Sequence, residues 1–248
     1  MIVGKRKPIP EILELVGPYR KVLNLGCGTC VAVCLVGGEK EAGILSAELD
    51  MARRLAGTPI EIDTVTLLRQ CDMEFLSELD DRVEGYEALL SMACGAGVQF
   101  LAERFPSKPV LPMVNTTFIG VNRSLGIFEE RCRACSECVL GLTGGICPVT
   151  MCPKGLMNGP CGGTNQGACE VDPEQACAWH QIWERLGAQG RLESILRIVP
   201  PRGHLNQVPR KVAQPAYVEP EASGDDPGAP AAPGSGEPPP GTGGQAAR

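Results

Sequence analysis

Three features of this sequence predict an α/β fold with a cysteine-rich appendage. Residues 1–125 alternate strand-like and helix-like segments, 126–200 hold most of the cysteines with few periodic apolar positions, and 201–248 are rich in proline and glycine. The expected architecture is a Rossmann-like parallel-sheet domain (1–125), a small irregular metal-binding domain (126–200) and a disordered tail (201–248).

The elements follow in order. Lys21-Val-Leu-Asn-Leu25 reads as a short buried strand. Residues Lys40–Ala56 read as a helix, with Ile44, Leu45, Ala47, Leu49 and Leu55 set among charges. The β-branched run Ile60–Leu68 gives a second strand and the apolar run Tyr86–Met92 a third. Gly97–Phe105 reads as the helix after it, and Pro109–Asn115 as a fourth strand. Strands separated by helices imply crossover units and a parallel sheet. Beyond residue 126 the only long periodic stretch is Cys177–Leu196, a helix with Trp179, Ile182, Trp183, Leu186 and Leu192 as its apolar positions. The tail cannot bury enough apolar surface to offset the entropy of ordering it.

Composition excludes several functions. A net charge of −6 opposes general nucleic-acid binding, and 4% aromatics leave few bases a stacking platform. No run is apolar and long enough to span a membrane; the richest, Val22–Gly38, is short and holds Asn24 and several glycines. The opening residues carry charges where a secretory segment would be apolar. Thirteen cysteines, an odd number, fit disulfides poorly, so a reducing cytoplasm is the expected location and metal binding the expected role.

The thiols fall into two sets. Cys132, Cys135 and Cys138 form C-x2-C-x2-C, followed by Cys147-Pro, Cys152-Pro, Cys161, Cys169 and Cys177. Such a run lets one loop wrap an iron–sulfur cube with three thiolates, and the fourth ligand often comes as Cys-Pro. Eight residues separate Cys138 from Cys147, where bacterial ferredoxins have three, and C-x2-C pairs also build zinc sites, so both metals stay open. Glycines at 144, 145, 155, 159, 162 and 163 would let backbone approach a cluster, or simply make turns. The N-terminal set is Cys27, Cys30 and Cys34 after the first strand, Cys71 after the second and Cys94 after the third. In a parallel sheet these are carboxyl ends, the rim where open α/β folds bind ligands. Cys27, Cys30, Cys71 and Cys94 are the expected ligands, with Cys34 as alternate; ordinary buried cysteine, the natural reading of a lone thiol, is outweighed by three strand ends out of three carrying one.

Val22-Leu-Asn-Leu-Gly-Cys-Gly-Thr29 also resembles the glycine-rich turn of S-adenosylmethionine-dependent methyltransferases, with Glu48 or Asp50 as the ribose acid. Cys30 and Cys34 then stand where the nucleotide should approach. His180 flanks Cys177 in the helix, and a packing role is simpler for it than ligation. No P-loop, HExxH or isolated nucleophile–base pair marks an active site of the chain's own.

Cys147-Pro-Val-Thr-Met-Cys-Pro-Lys-Gly-Leu-Met-Asn-Gly-Pro-Cys-Gly-Gly163, Gly167-Ala-Cys-Glu-Val-Asp-Pro173, Cys177-Ala-Trp179 and Trp183-Glu-Arg-Leu186 resemble the methylenetetrahydrofolate reductase C-terminal domain family in its stand-alone, small-subunit form. Gly26-Cys-Gly-Thr-Cys30 fits the same type. The resemblance implies a flavin-containing barrel subunit as partner, which reduces methylenetetrahydrofolate in one-carbon metabolism. The small subunit would pass electrons to that flavin through two or three iron–sulfur clusters, 4Fe–4S in type, with zinc possible at one site. Other electron-transfer proteins would be further partners. A barrel of eight β/α units needs about 250 residues for itself, so the flavin belongs to the partner alone. The competing class is a zinc-stabilised interaction module without a redox role.

Overall fold

A computed structural model describes residues 1–201, 209–214 and 216–217. The expected disordered tail, 201–248, otherwise lies outside the described residues. Met1–Gly203 form one compact unit.

The chain begins with β1 (Ile2–Arg6) and α1 (Ile9–Val16), whose Pro10 suits a first turn that needs no amide donor. Next come β2 (Lys21–Cys27), the single turn α2 (Cys30–Val33) and α3 (Glu39–Leu55). Glu39 and Glu41 open α3 while Arg53 and Arg54 close it, matching the helix dipole at both ends. β3 (Glu61–Leu67), α4 (Met73–Leu76), β4 (Ala88–Ser91), α5 (Gly95–Arg104) and β5 (Val110–Pro112) complete the parallel part. The sheet order is β3-β2-β4-β5, with Cys27 beside Leu67 and Leu25 beside Ser91.

Alternation along β2 builds two cores. Val22 faces α1 and α3, joining Ile12, Val16, Leu45 and Leu49, with Leu90 from β4. Leu23 and Leu25 face the other way, meeting Leu67, Leu76, Leu79, Leu89 and Leu101. Each fully buried leucine contributes about 1.5–3 kcal/mol, so helices on both faces are what the sheet requires. The buried Arg53 donates to the carbonyls of Thr58, Gly17 and Tyr19 at 2.8, 3.0 and 3.2 Å, tying α3 to the loop that enters β2.

A second, antiparallel sheet, absent from the expected fold, is made of β1, β6 (Val114–Ser124) and β7 (Ile127–Cys132) in the order β1-β6-β7. Its hairpin straddles residue 125, and Gly126, at φ +78°, makes the turn. The last elements are the short α6 (Pro148–Met151) and α7 (Ala178–Ala188). The expected helix to Leu196 stops at Ala188, because Gly190 takes φ +64° and Arg191 N–H returns to the Leu186 carbonyl. Trp179, Ile182 and Leu186 pack with Ile146 in a small core, while Trp183 is exposed.

Candidate metal centres

The carboxyl edge of the parallel sheet collects cysteines from three strands. β2 ends on the buried Cys27, whose amide donates to the Gly37 carbonyl at 2.8 Å. Cys30 opens α2, Cys71 follows β3, and Cys94 directly precedes α5. These thiols share one electrostatic neighbourhood. Although Cys71 is solvent-exposed, the desolvation it does experience pushes its thiol up, and the nearby thiols of Cys94, Cys27 and Cys30 push it further.

Cys34 lies differently. It is buried, and its Sγ donates to the Ile2 carbonyl of β1 at 3.5 Å. Burial raises its thiol as well, with Cys30 adding to the rise. Three candidates therefore gather with Cys71, and Cys34 turns toward the antiparallel sheet.

Gln70 locks this edge, and the sequence reading missed it. Fully buried, it donates from Nε2 to the carbonyls of Leu25 and Gly26 at 2.8 and 3.0 Å, and accepts from Ser91 Oγ at 2.6 Å. One side chain thus fixes the ends of β2, β3 and β4 beside Cys27, Cys71 and Cys94. Only its place next to Cys71 hints at this in the sequence. Gln70→Leu leaves buried polar groups unpaired at a cost of about 2 kcal/mol, and should lower the thermal midpoint by roughly 4–8 °C. A melting curve of the metal-free chain checks it; an unchanged midpoint would remove Gln70 from the argument.

The C-terminal thiols sit on irregular backbone. Cys132 ends β7 and accepts the Ala134 amide on its Sγ at 3.3 Å. Ala134 and Ser136 have φ of +50° and +70°, a left-handed backbone costing about 1–3 kcal/mol each for such residues. Successive amides in a left-handed turn form concavities that bind anions, iron–sulfur centres included. Cys135 and Cys138 continue this loop, Cys147 precedes α6, and Cys152 follows it. Cys152, Cys161, Cys169 and Cys177 line one small pocket. The Gly163 amide donates to Cys161 Sγ at 3.4 Å and, with Lys154 nearby, holds that thiol below its ordinary range. His180 pairs with Glu184, Nε2–Oε1 3.4 Å, one helical turn on.

Among the described residues no group of three or more His, Cys, Asp or Glu side chains stands arranged to hold a metal ion. The thiols share edges and pockets without having closed to ligand distance. Their chemistry fits an iron–sulfur cluster at the sheet edge: four soft donors from separate elements, with amides nearby to donate to sulfur. Metal binding and folding are coupled in such sites. No helix among the described residues is long and apolar enough to cross a membrane.

Residues 111–204 match the family model described as the methylene-tetrahydrofolate reductase C terminal. The match begins in β5 and includes all eight cysteines from Cys132 to Cys177, but none of the five N-terminal ones. No curated protein and no solved structure matches the chain.

Proposed function

We propose that this chain is an iron–sulfur accessory subunit of a methylenetetrahydrofolate reductase complex, passing electrons to the flavin of a catalytic barrel subunit. The observation that carries the reading is the convergence of Cys27, Cys30, Cys71 and Cys94 on one sheet edge. The family match over 111–204 supports the link to a reductase.

An iron–sulfur cluster, when bound, supplies one-electron storage at a potential set by its surroundings. The chain's residues set those surroundings. Thiolates of Cys27, Cys30, Cys71 and Cys94 would hold the iron. The Gln70 bonds keep three of their attachment points at fixed spacing, and the dipole of α5 eases the anionic charge. Exposure of Cys71 leaves one corner near the surface, where transfer to a partner's flavin needs a short path.

The test is anaerobic purification of the full chain. Iron and acid-labile sulfide in about equal amounts, with a broad visible band bleached by dithionite, are expected. Co-expression with a flavin-containing reductase subunit should give a complex in which that flavin is reduced through this chain. Zinc without iron, and no association with the flavin subunit, would favour the interaction module and end the redox reading.

A further inference from the structure

We infer that a cavity beside α7 binds a short aliphatic dicarboxylate of the kind that ends a folate; its assignment to a folate rests on the reductase reading above, while the chemistry of the cavity does not. Arg131, Arg185 and Gln181 give this space of about 190 Å³ polar walls, and Leu140, Ile146 and Met151 give it apolar ones. Among the described residues no carboxylate lines it. Two guanidiniums on one cavity, with no acid lining it, select an anion with oxygen acceptors, which a planar fork meets bidentately.

Both cations are held in place by their surroundings. Gln181 and Arg185 stand four residues apart on α7, so one face of the helix presents them together. Gly144 and Gly145, at φ +60° and +82°, make room for the Arg185 stem: a Cβ on Gly144 would lie 3.4 Å from its Cγ and Cδ. Arg185 Nη1 donates to the Gly144 carbonyl at 3.3 Å. Arg131 Nη1 donates to the Glu130 carbonyl at 3.2 Å and to Met151 Sδ at 3.4 Å. Arg131 Nη2 pairs with Glu129, but that carboxylate also meets Arg123 at 3.8 Å, so one negative charge answers two positive ones. The wall of the cavity therefore keeps an excess of positive charge.

The apolar side of the lining decides which anion fits. Inorganic phosphate would engage the guanidiniums and leave Leu140, Ile146 and Met151 uncovered. A lone carboxylate would engage one fork. Two carboxylates joined through methylenes can engage both forks and lay the methylenes against the apolar walls. A folate ends in glutamate, which is such a group. A tail held here would give the substrate a second anchor in the complex while its ring reacts on the flavin subunit. Cys147 borders the same cavity, so metal content is measured on every sample.

The test is titration calorimetry of the full chain at fixed ionic strength, with glutarate, γ-linked triglutamate and inorganic phosphate as probes. Glutarate should bind about tenfold more tightly than phosphate, because its methylenes are covered. Arg185→Gln should weaken glutarate about tenfold or more and move the thermal midpoint by no more than about 2 °C, since the side chain is exposed. Arg185→Lys keeps the charge and loses the fork, so its affinity should fall between the two. Phosphate bound as tightly as glutarate, no glutarate binding, or full binding in Arg185→Gln would each overturn the site. Triglutamate that binds more tightly and displaces glutarate supports the folate tail; triglutamate no tighter than glutarate overturns that source and leaves a site for free dicarboxylates. An iron-free chain that binds glutarate keeps the site and ends the redox reading, whereas an iron-loaded chain that binds none of the three probes ends this inference alone.

Discussion

Cys71→Ser should strip the sheet edge of its iron while leaving the fold intact. The side chain is exposed, so it contributes little to either core, and surface substitutions usually stay within about 0.5 kcal/mol. The thermal midpoint of the metal-free protein should therefore move by no more than about 2 °C. As a ligand, however, Cys71 is the sole thiol contributed by the end of β3, and no other cysteine follows that strand. Losing it opens the set, and iron should fall by about four atoms per chain, the content of one cube. Electron delivery to a partner flavin should drop at least tenfold, or about 1.4 kcal/mol. Cys34→Ala is the matched control. Its thiol faces the Ile2 carbonyl, so the variant should retain its iron and lose about 1 kcal/mol of stability instead. Metal analysis of the two proteins side by side decides the matter. If Cys71→Ser keeps its full iron while Cys34→Ala loses it, the set has been drawn on the wrong thiols.

The sequence set Cys71 among four expected ligands and Cys34 as their alternate, but the physical ground for that difference was not visible in it. The strands of the parallel sheet were legible because Val22, Leu23, Leu25 and Leu89–Leu90 are buried on both faces and form short apolar runs. Helix α3 was legible because charges surround its apolar stripe. Placing cysteines at carboxyl ends then followed from topology alone. The β1-β6-β7 sheet was not legible, since β6 is exposed at most positions and pairs with a strand more than 100 residues earlier. Cys34 faces that unforeseen sheet, so its place as the alternate thiol had no visible physical cause in the sequence. Gln70 was equally hidden: a glutamine beside a cysteine reads as loop until its bonds to Leu25, Gly26 and Ser91 appear. In the segment from Cys132 to Cys177 the spacing named candidate ligands, but turns with left-handed Ala134 and Ser136 follow no periodicity that predicts which thiols share a pocket.

Gly37→Ala should be the most damaging single-methyl change at the sheet edge. A Cβ there would lie 2.1 Å from the Met92 carbonyl oxygen and 2.8 Å from Val31 Cγ2. The nearer obstacle is backbone, and it cannot rotate away, because Met92 N–H is bonded to the Leu25 carbonyl at 2.9 Å. Gly37 itself is held from both sides, donating to the Val31 carbonyl and accepting the Cys27 amide. Relief therefore means parting the loop after α2 from the end of β4. Overpacking of this kind costs about 1–3 kcal/mol, and an immobile obstacle puts it at the upper end, so the midpoint should fall by roughly 6–12 °C. The displacement also separates Cys27 from Cys94, so iron retention should fall with stability. Gly43→Ala gives the opposite sign: it is exposed within α3, nothing lies within 4 Å of its added methyl, and removing a helical glycine should stabilise by about 0.5–1 kcal/mol. Melting curves and iron content of both variants should thus diverge in opposite directions. Equal stability of Gly37→Ala and the parent would mean that the loop after α2 is not clamped against β4, and the rigid spacing on which four-thiolate capture depends would be lost with it.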